Sequence, residues 1–239
     1  MQEIQTLQAW MREAKNIVFF GGAGVSTESN IPDFRSQDGL YHLSYQYPPE
    51  TILSHRFFMQ QTEEFFRFYR AKMLYLEAEP NQAHLQLAKW EQEGRLKGVI
   101  TQNIDGLHQK AGSRHVVELH GSVLRNHCMR CGKAYPAERI AQSQGVPRCD
   151  CGGIIKPDVV LYEESLNSAD IEEAVRLIEE AEVLIVGGTS LAVYPAAGLI
   201  DYYRGTHLVL INRDATPYDR KANLLIQDKI GWVLGQIDA

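Results

Sequence analysis

Five short apolar runs constrain this chain more than any other feature. Asn16-Ile17-Val18-Phe19-Phe20 ends at Gly21-Gly22, and comparable runs recur at 98–101, 116–119, 183–187 and 207–211. Each is too short for a stable helix and is apolar throughout rather than alternating, the pattern of a strand buried on both faces. Helical periodicity separates them, at 82–94 and 169–181. Ahead of the first run, Ile4, Leu7, Trp10, Met11 and Ala14 mark a helix over 3–15. Apolar strands alternating with helices predict an α/β fold, a Rossmann-like parallel sheet covered on both sides.

Two stretches break the alternation. Residues 36–79 are rich in aromatics, with Phe57, Phe58, Phe65, Phe66, Phe68 and Tyr69 at helical spacing, and should form a helical insertion packed on itself. Residues 122–157 hold all four cysteines together with Gly132, Gly152 and Gly153. The expected organisation is a core of 1–35, 80–121 and 158–239. A smaller lobe would combine the helical insertion 36–79 with a zinc-ribbon module 122–157, leaving a ligand cleft between the lobes.

Composition narrows the class of partner. With 30 acidic and 24 basic residues in 239, the net charge is −6, which argues against phosphate-backbone binding and suits a lysine-bearing partner. The segment 122–157 is locally basic, but Tyr135 is its one aromatic, so a nucleic-acid-reading ribbon is disfavoured. The N-terminal stretch has no basic n-region followed by an apolar h-region, and the apolar run around 183–193 contains Thr189 and Ser190. A cytoplasmic protein with no membrane span is expected, by default a monomer.

The strand ends carry the chemistry. Gly21-Gly22-Ala23-Gly24-Val25-Ser26 follows the first run, and such glycines let the backbone turn tightly against a pyrophosphate. The third glycine of the dinucleotide fingerprint is replaced by Thr27, and no acidic residue ends a second strand, so the chain is not a hydride-transfer enzyme of the usual type. In Ile31-Pro32-Asp33-Phe34-Arg35, Arg35 could hold an anion and Phe34 cover a ring; a surface Asp33–Arg35 pair is the plainer reading. Gln102, Asn103, Ile104 and Asp105 follow the second run, where amides and a carboxylate can meet a ribose or carboxamide or simply cap a helix. His120, after the third run, is the best placed of eight histidines to act as a base. Thr189 and Ser190, then Asn212 and Arg213, follow the last two runs as polar groups fit for phosphate and ribose.

Cys128 and Cys131 form a C-x-x-C pair, and Cys149 and Cys151 a tighter C-x-C pair. Two close thiol pairs suit one tetrahedral zinc in a structural role, with His127 as a substitute ligand and free thiols or a stress disulfide as the alternative.

Taken in order, GAGVSTESNIPDFRS (22–36), TQNIDGLH (101–108), ELHGSV (118–123), the cysteine module, KPDVV (156–160), GTSLAVYPAA (188–197) and INRDATPYD (211–219) resemble the sirtuin family of NAD-dependent protein-lysine deacylases, in a compact bacterial form. The resemblance implies NAD as a consumed co-substrate, its pyrophosphate over Gly22, Ala23, Gly24 and Thr27, with Phe34 and Arg35 in a closing loop. Gln102, Asn103, Ile104 and Asp105 would hold the nicotinamide ribose, and Thr189, Ser190, Asn212, Arg213, Asp228 and Lys229 the adenosine half. Asn103, Asp105 and His120 would be catalytic, His120 as base on a ribose hydroxyl, giving free lysine and O-acetyl-ADP-ribose from acetyl-lysine proteins or peptides. The peptide would add as a strand beside Val159 and Val160 and along 187–191. Where relatives read x-Phe-Gly-Glu, this chain has Leu161-Tyr162-Glu163-Glu164, an added acid that could favour basic flanking residues. Relatives preferring acidic acyl groups carry a Tyr and an Arg three apart; here Tyr69 is followed by Lys72, which lacks the planar fork, so acetyl is expected first. The alternatives are ADP-ribose transfer or NAD hydrolysis in the same pocket, or an NAD-sensing zinc adaptor without turnover.

Overall fold

A computed structural model describes residues 2–33 and 46–237. The first segment holds α1 (Gln2–Glu13) and β1 (Ile17–Gly21), and four helices follow: α2 (Pro49–Ile52), α3 (His55–Gln60), α4 (Thr62–Lys72) and α5 (Gln82–Gln92). Next come β2 (Leu96–Thr101), α6 (Leu107–Lys110), β3 (Val116–Glu118), β4 (Gly121–Cys128), β5 (Ala134–Pro136), α7 (Ala137–Ala141) and β6 (Ile155–Val159). The chain ends with α8 (Ser168–Glu180), β7 (Val183–Gly187), β8 (His207–Ile211), β9 (Leu224–Ile226) and α9 (Ile230–Gly235).

Six of these strands form one parallel sheet in the order β3-β2-β1-β7-β8-β9. Numbered within the sheet, that order is 3-2-1-4-5-6, the doubly wound arrangement whose ligand crevice opens where the order reverses, between β1 and β7. The register brings the carboxyl ends of the strands level: Gly21 sits beside Thr101 and Gly187, Thr101 beside Glu118, and Ile211 beside Gly187 and Ile226. Everything that follows a strand therefore emerges along one edge.

The strands are buried because both faces are covered. Ile17 and Phe19 point into a cluster with Leu7, Met11, Leu87, Trp90, Val233 and Leu234, contributed by α1, α5 and α9. Val18 and Phe20 point the other way, to Ala174, Leu177 and Ile178 of α8 and to Leu199 and Ile200. This is the alternation of a pleated strand with apolar layers on both sides.

A second, antiparallel sheet, β5-β4-β6, carries the cysteine segment. Its apolar side shares one cluster with the aromatics of the helical insertion: Phe57, Phe58, Phe65, Phe66, Phe68 and Tyr69 pack with Val123, Ile140, Ile155 and Val159. Phe58 and Phe65 meet edge to face at 4.9 Å, a favourable aromatic geometry. The insertion thus packs on the small sheet as well as on itself. Gly121 joins the two sheets. It has φ +74°, and a Cβ there would lie 1.9 Å from the carbonyl oxygen of Asp158, so no side chain fits where β4 begins, directly after His120.

Candidate active site

A cavity of about 490 Å³ opens along the level edge of the parallel sheet, within the range that holds a small-molecule ligand. Gly22, Ala23, Gly24 and Thr27 after β1 line it, as do Gln102, Asn103, Ile104 and Asp105 after β2 and His120 after β3. Thr189 and Ser190 after β7, Asn212 and Arg213 after β8, and Asp228 and Lys229 after β9 also line it. Phe34 and Arg35 lie outside the described residues.

At the switch point the backbone is packed too tightly for side chains. The Gly24 N–H donates to the Gly188 carbonyl at 2.7 Å, and a Cβ on Gly24 would stand 2.8 Å from both Gly188 Cα and that oxygen. Thr27 folds its hydroxyl back onto the Gly24 carbonyl at 2.9 Å. The result is a shallow cradle in which the main chain of Gly22 and Gly24 lines the cavity.

Beside the cradle, the buried Ser26 and Asn103 form a chain with the partly buried Asp105. Asn103 Nδ2 donates to Ser26 Oγ at 3.0 Å, and Ser26 Oγ donates to Asp105 Oδ2 at 2.7 Å. The other Asp105 oxygen accepts the Leu107 N–H at 2.9 Å, so Asp105 both caps α6 and faces the cavity. Burial raises the Asp105 carboxyl above its ordinary value, against the two hydrogen bonds that favour its ionised form. Ser26, the bridge in this chain, enters the sequence reading only as the end of the glycine motif, with no role of its own. Its signal was its place two residues beyond Gly24, inside the glycine loop.

His120 Nδ1 lies 2.9 Å from the Gln102 carbonyl oxygen. A carbonyl only accepts, so Nδ1 carries the proton and Nε2 is left as the basic nitrogen. Burial pulls the His120 pKa below its usual value, and the bond to Gln102 works against that shift. Gln102 is itself fixed, its side-chain amide donating to Thr189 Oγ1 at 3.0 Å and its N–H to the Gly21 carbonyl at 3.0 Å. Asp33 pairs with Arg213 at 3.7 Å, tying the loop after β1 to the one after β8.

Comparison with known proteins decides the family. A family profile described as the Sir2 family matches residues 22–195. The chain belongs to the Sir2 family. An NAD-dependent protein deacetylase of Clostridium acetobutylicum is 58% identical over 238 residues, covering 98% of this chain and 97% of that one. One from Clostridium tetani is 59% identical over 241 residues, covering 99% and 98%. A solved Sir2 with a p53 peptide and NAD+ superposes with a TM-score of 0.87 at 39% identity, covering 97% and 95% of the two chains. A second, with a deacetylated p53 peptide and 3'-O-acetyl ADP ribose, gives 0.90 at 38%, covering 98% and 96%.

Away from the cavity of this Sir2 chain, the sulfurs of Cys128, Cys131, Cys149 and Cys151 all lie within 4.8 Å of one another. Cys128 and Cys151 are 3.4 Å apart and Cys131 and Cys149 3.6 Å, too far for disulfides. Four thiolates around one zinc stand about 3.8 Å apart for Zn–S bonds of about 2.3 Å, so the cluster fits a closed tetrahedral centre, C-x-C pair included. His127 is turned to Asp158 at 2.6 Å and is no part of the cluster. A zinc held by all four thiolates would have no open position, which suits a structural role.

Proposed function

We propose that this Sir2 chain removes acetyl groups from lysine side chains of proteins or peptides, using NAD as a consumed co-substrate. The observation that carries the reading is the meeting, at one strand edge, of the backbone cradle, the Asn103–Ser26–Asp105 chain and a histidine with a free Nε2. NAD bound there supplies an ADP-ribosyl group that releases nicotinamide and takes up the acyl group.

The chain's own residues would divide the work by position. Gly22, Ala23, Gly24 and Thr27 receive the pyrophosphate, and Thr189, Ser190, Asn212, Arg213, Asp228 and Lys229 the adenosine half. Gln102, Asn103, Ile104 and Asp105 orient the ribose at the reacting end. His120 Nε2 accepts a proton from a hydroxyl presented in the cavity, while Nδ1–H stays on the Gln102 carbonyl. The acetyl-lysine peptide would add as a strand along Val159 and Val160, whose segment borders the cavity, with Gly188, Thr189 and Ser190 opposite.

The acyl end favours neutral groups. Tyr69 is wholly buried with its hydroxyl unpartnered among the described residues and does not reach the cavity, whereas Lys72 lines it. Its ammonium lacks the planar fork that grips a carboxylate at two points. Glu163, in the left-handed region at φ +75°, turns its carboxylate to the Arg56 N–H at 3.0 Å.

The deciding experiment is mass spectrometry of acetyl- and succinyl-lysine peptides incubated with and without NAD, alongside His120→Ala. The expected result is NAD-dependent loss of acetyl with O-acetyl-ADP-ribose formed, slower turnover of the succinyl peptide, and a fall of about 10²–10⁴-fold in the variant. Nicotinamide release with the acetyl group retained would transfer the reading to ADP-ribosylation or NAD hydrolysis. NAD binding without turnover would leave an NAD-sensing adaptor.

A further inference from the structure

The two halves of the four-cysteine centre are built unequally. Cys128 and Cys131 enclose two residues, and the Arg130 N–H within that turn lies 3.4 Å from Cys128 Sγ. Cys149 and Cys151 enclose only Asp150, a tighter turn in which the Cys151 N–H is directed at the Cys149 sulfur. Its first thiol is served from outside the turn as well. Tyr135, on β5, reaches Cys149 with its hydroxyl, Oη to Sγ 3.0 Å.

We propose that Tyr135 is a positioning residue of the metal centre, its hydroxyl donating to the Cys149 thiolate and stabilising the zinc-bound form. Four thiolates and one dication leave the centre with a net charge of about −2. Cys149 is only 6% exposed, so water disperses little of that charge at its sulfur. An O–H donor at the sulfur does so instead, and outer-shell donors of this kind are worth roughly 10–100-fold in metal affinity.

The ring is held for that purpose. Lys133 Nζ stands 5.4 Å from the centre of the Tyr135 ring and 2.7 Å from an Asp150 oxygen. One side chain thus links the turn after the first cysteine pair, the tyrosine and the middle of the second pair. On the far side, the Arg130 guanidinium donates to the Cys151 carbonyl at 2.8 Å. A phenylalanine would fill the same space against the same neighbours, so the distinctive contribution of tyrosine is the hydroxyl.

Tyr135→Phe tests the hydroxyl alone, in the full-length zinc-loaded protein. Competition with a chromophoric chelator should show zinc affinity lowered by about tenfold or more. In the cobalt-substituted protein the thiolate-to-metal charge-transfer band should move to lower energy, because a sulfur relieved of its hydrogen bond gives up an electron more readily. Lys133→Gln, which keeps the hydroxyl, should move that band less. A band unmoved in Tyr135→Phe overturns the proposal, even if the variant unfolds at a lower temperature, since the ring's packing alone would then explain the loss. Unchanged chelator competition overturns it equally.

Discussion

His120 is set up for proton transfer by which of its nitrogens is occupied. The Gln102 carbonyl takes Nδ1–H, so the neutral ring has a single tautomer and presents Nε2 as the base. Burial lowers its pKa, which keeps the ring neutral and competent across the neutral range. Activity should therefore be flat at neutral pH and fall only as the pH drops through that lowered value. The acid limb of kcat/KM belongs below His120's unperturbed pKa of about 6.5. A pH-rate profile with saturating NAD checks this, and an acid limb centred above pH 7 would show that burial does not control the base. The sequence could place His120 at a strand end but could not show its partner. That partner is a backbone carbonyl on the neighbouring strand's loop, and no side-chain pattern encodes it.

At the scale of elements, the parallel core was legible because its strands are short and apolar on both faces. β7 and β8 occupy the segments expected of them, β1 is shifted by one residue at each end, and β2 begins two residues earlier than expected. The small sheet was not legible. β4 mixes Ser122, Arg125, Asn126 and His127 with apolar residues, and its pairing with β6 slips between Ser122 and Asn126, so no clean period survives. β9, three residues long, is below what periodicity can resolve. The helix α5 hides another feature. Its His84 packs against His108 of α6 at 4.7 Å between ring centres, both wholly inside the protein. His84 accepts the Asn81 N–H on Nδ1, while its Nε2 and both nitrogens of His108 have no partner among the described residues. Burial pushes His84 down to about 4 and His108 well below its ordinary value, the latter with help from His84. Both folded values are depressed, so below about pH 6.5 the unfolded chain binds protons that the folded one refuses, and stability falls with the pH. For His84 alone the loss between pH 6.5 and 4 is about 3 kcal/mol at 1.36 kcal/mol per unit. Urea unfolding at pH 7.5 and 5 should show about 2 kcal/mol of that fall from His84, reduced in His84→Gln. An identical pH slope in the variant would mean the pair does not titrate as its burial requires.

For the whole molecule the question is how far the metal's influence reaches. Cys128 and Cys149 are themselves members of the cluster that holds Phe58, Phe65, Ile140 and Ile155, so the zinc centre and the helical insertion share one core. The parallel sheet has its own two clusters, and none of the four cysteines belongs to either. Removing the metal should therefore loosen the small sheet and the helices packed on it while β1, β7 and β8 stay protected, because metal binding and local folding are one equilibrium. The junction decides what happens to activity. β4 begins at Gly121, directly after His120, and the Val160 N–H donates to the His120 carbonyl at 3.0 Å. A loosened small sheet thus releases His120 and the Val159–Val160 wall, although the metal touches neither. The cradle at Gly24 and Gly188 lies on the parallel sheet and should survive. Zinc-stripped protein should lose turnover yet keep a measurable rise in unfolding temperature with NAD, read by scanning calorimetry, while hydrogen exchange rises over 121–159 and not over β7 or β8. Uniform loss of protection across both sheets would show a single cooperative unit instead, and full activity after metal removal would show that the junction holds His120 without help from the small sheet.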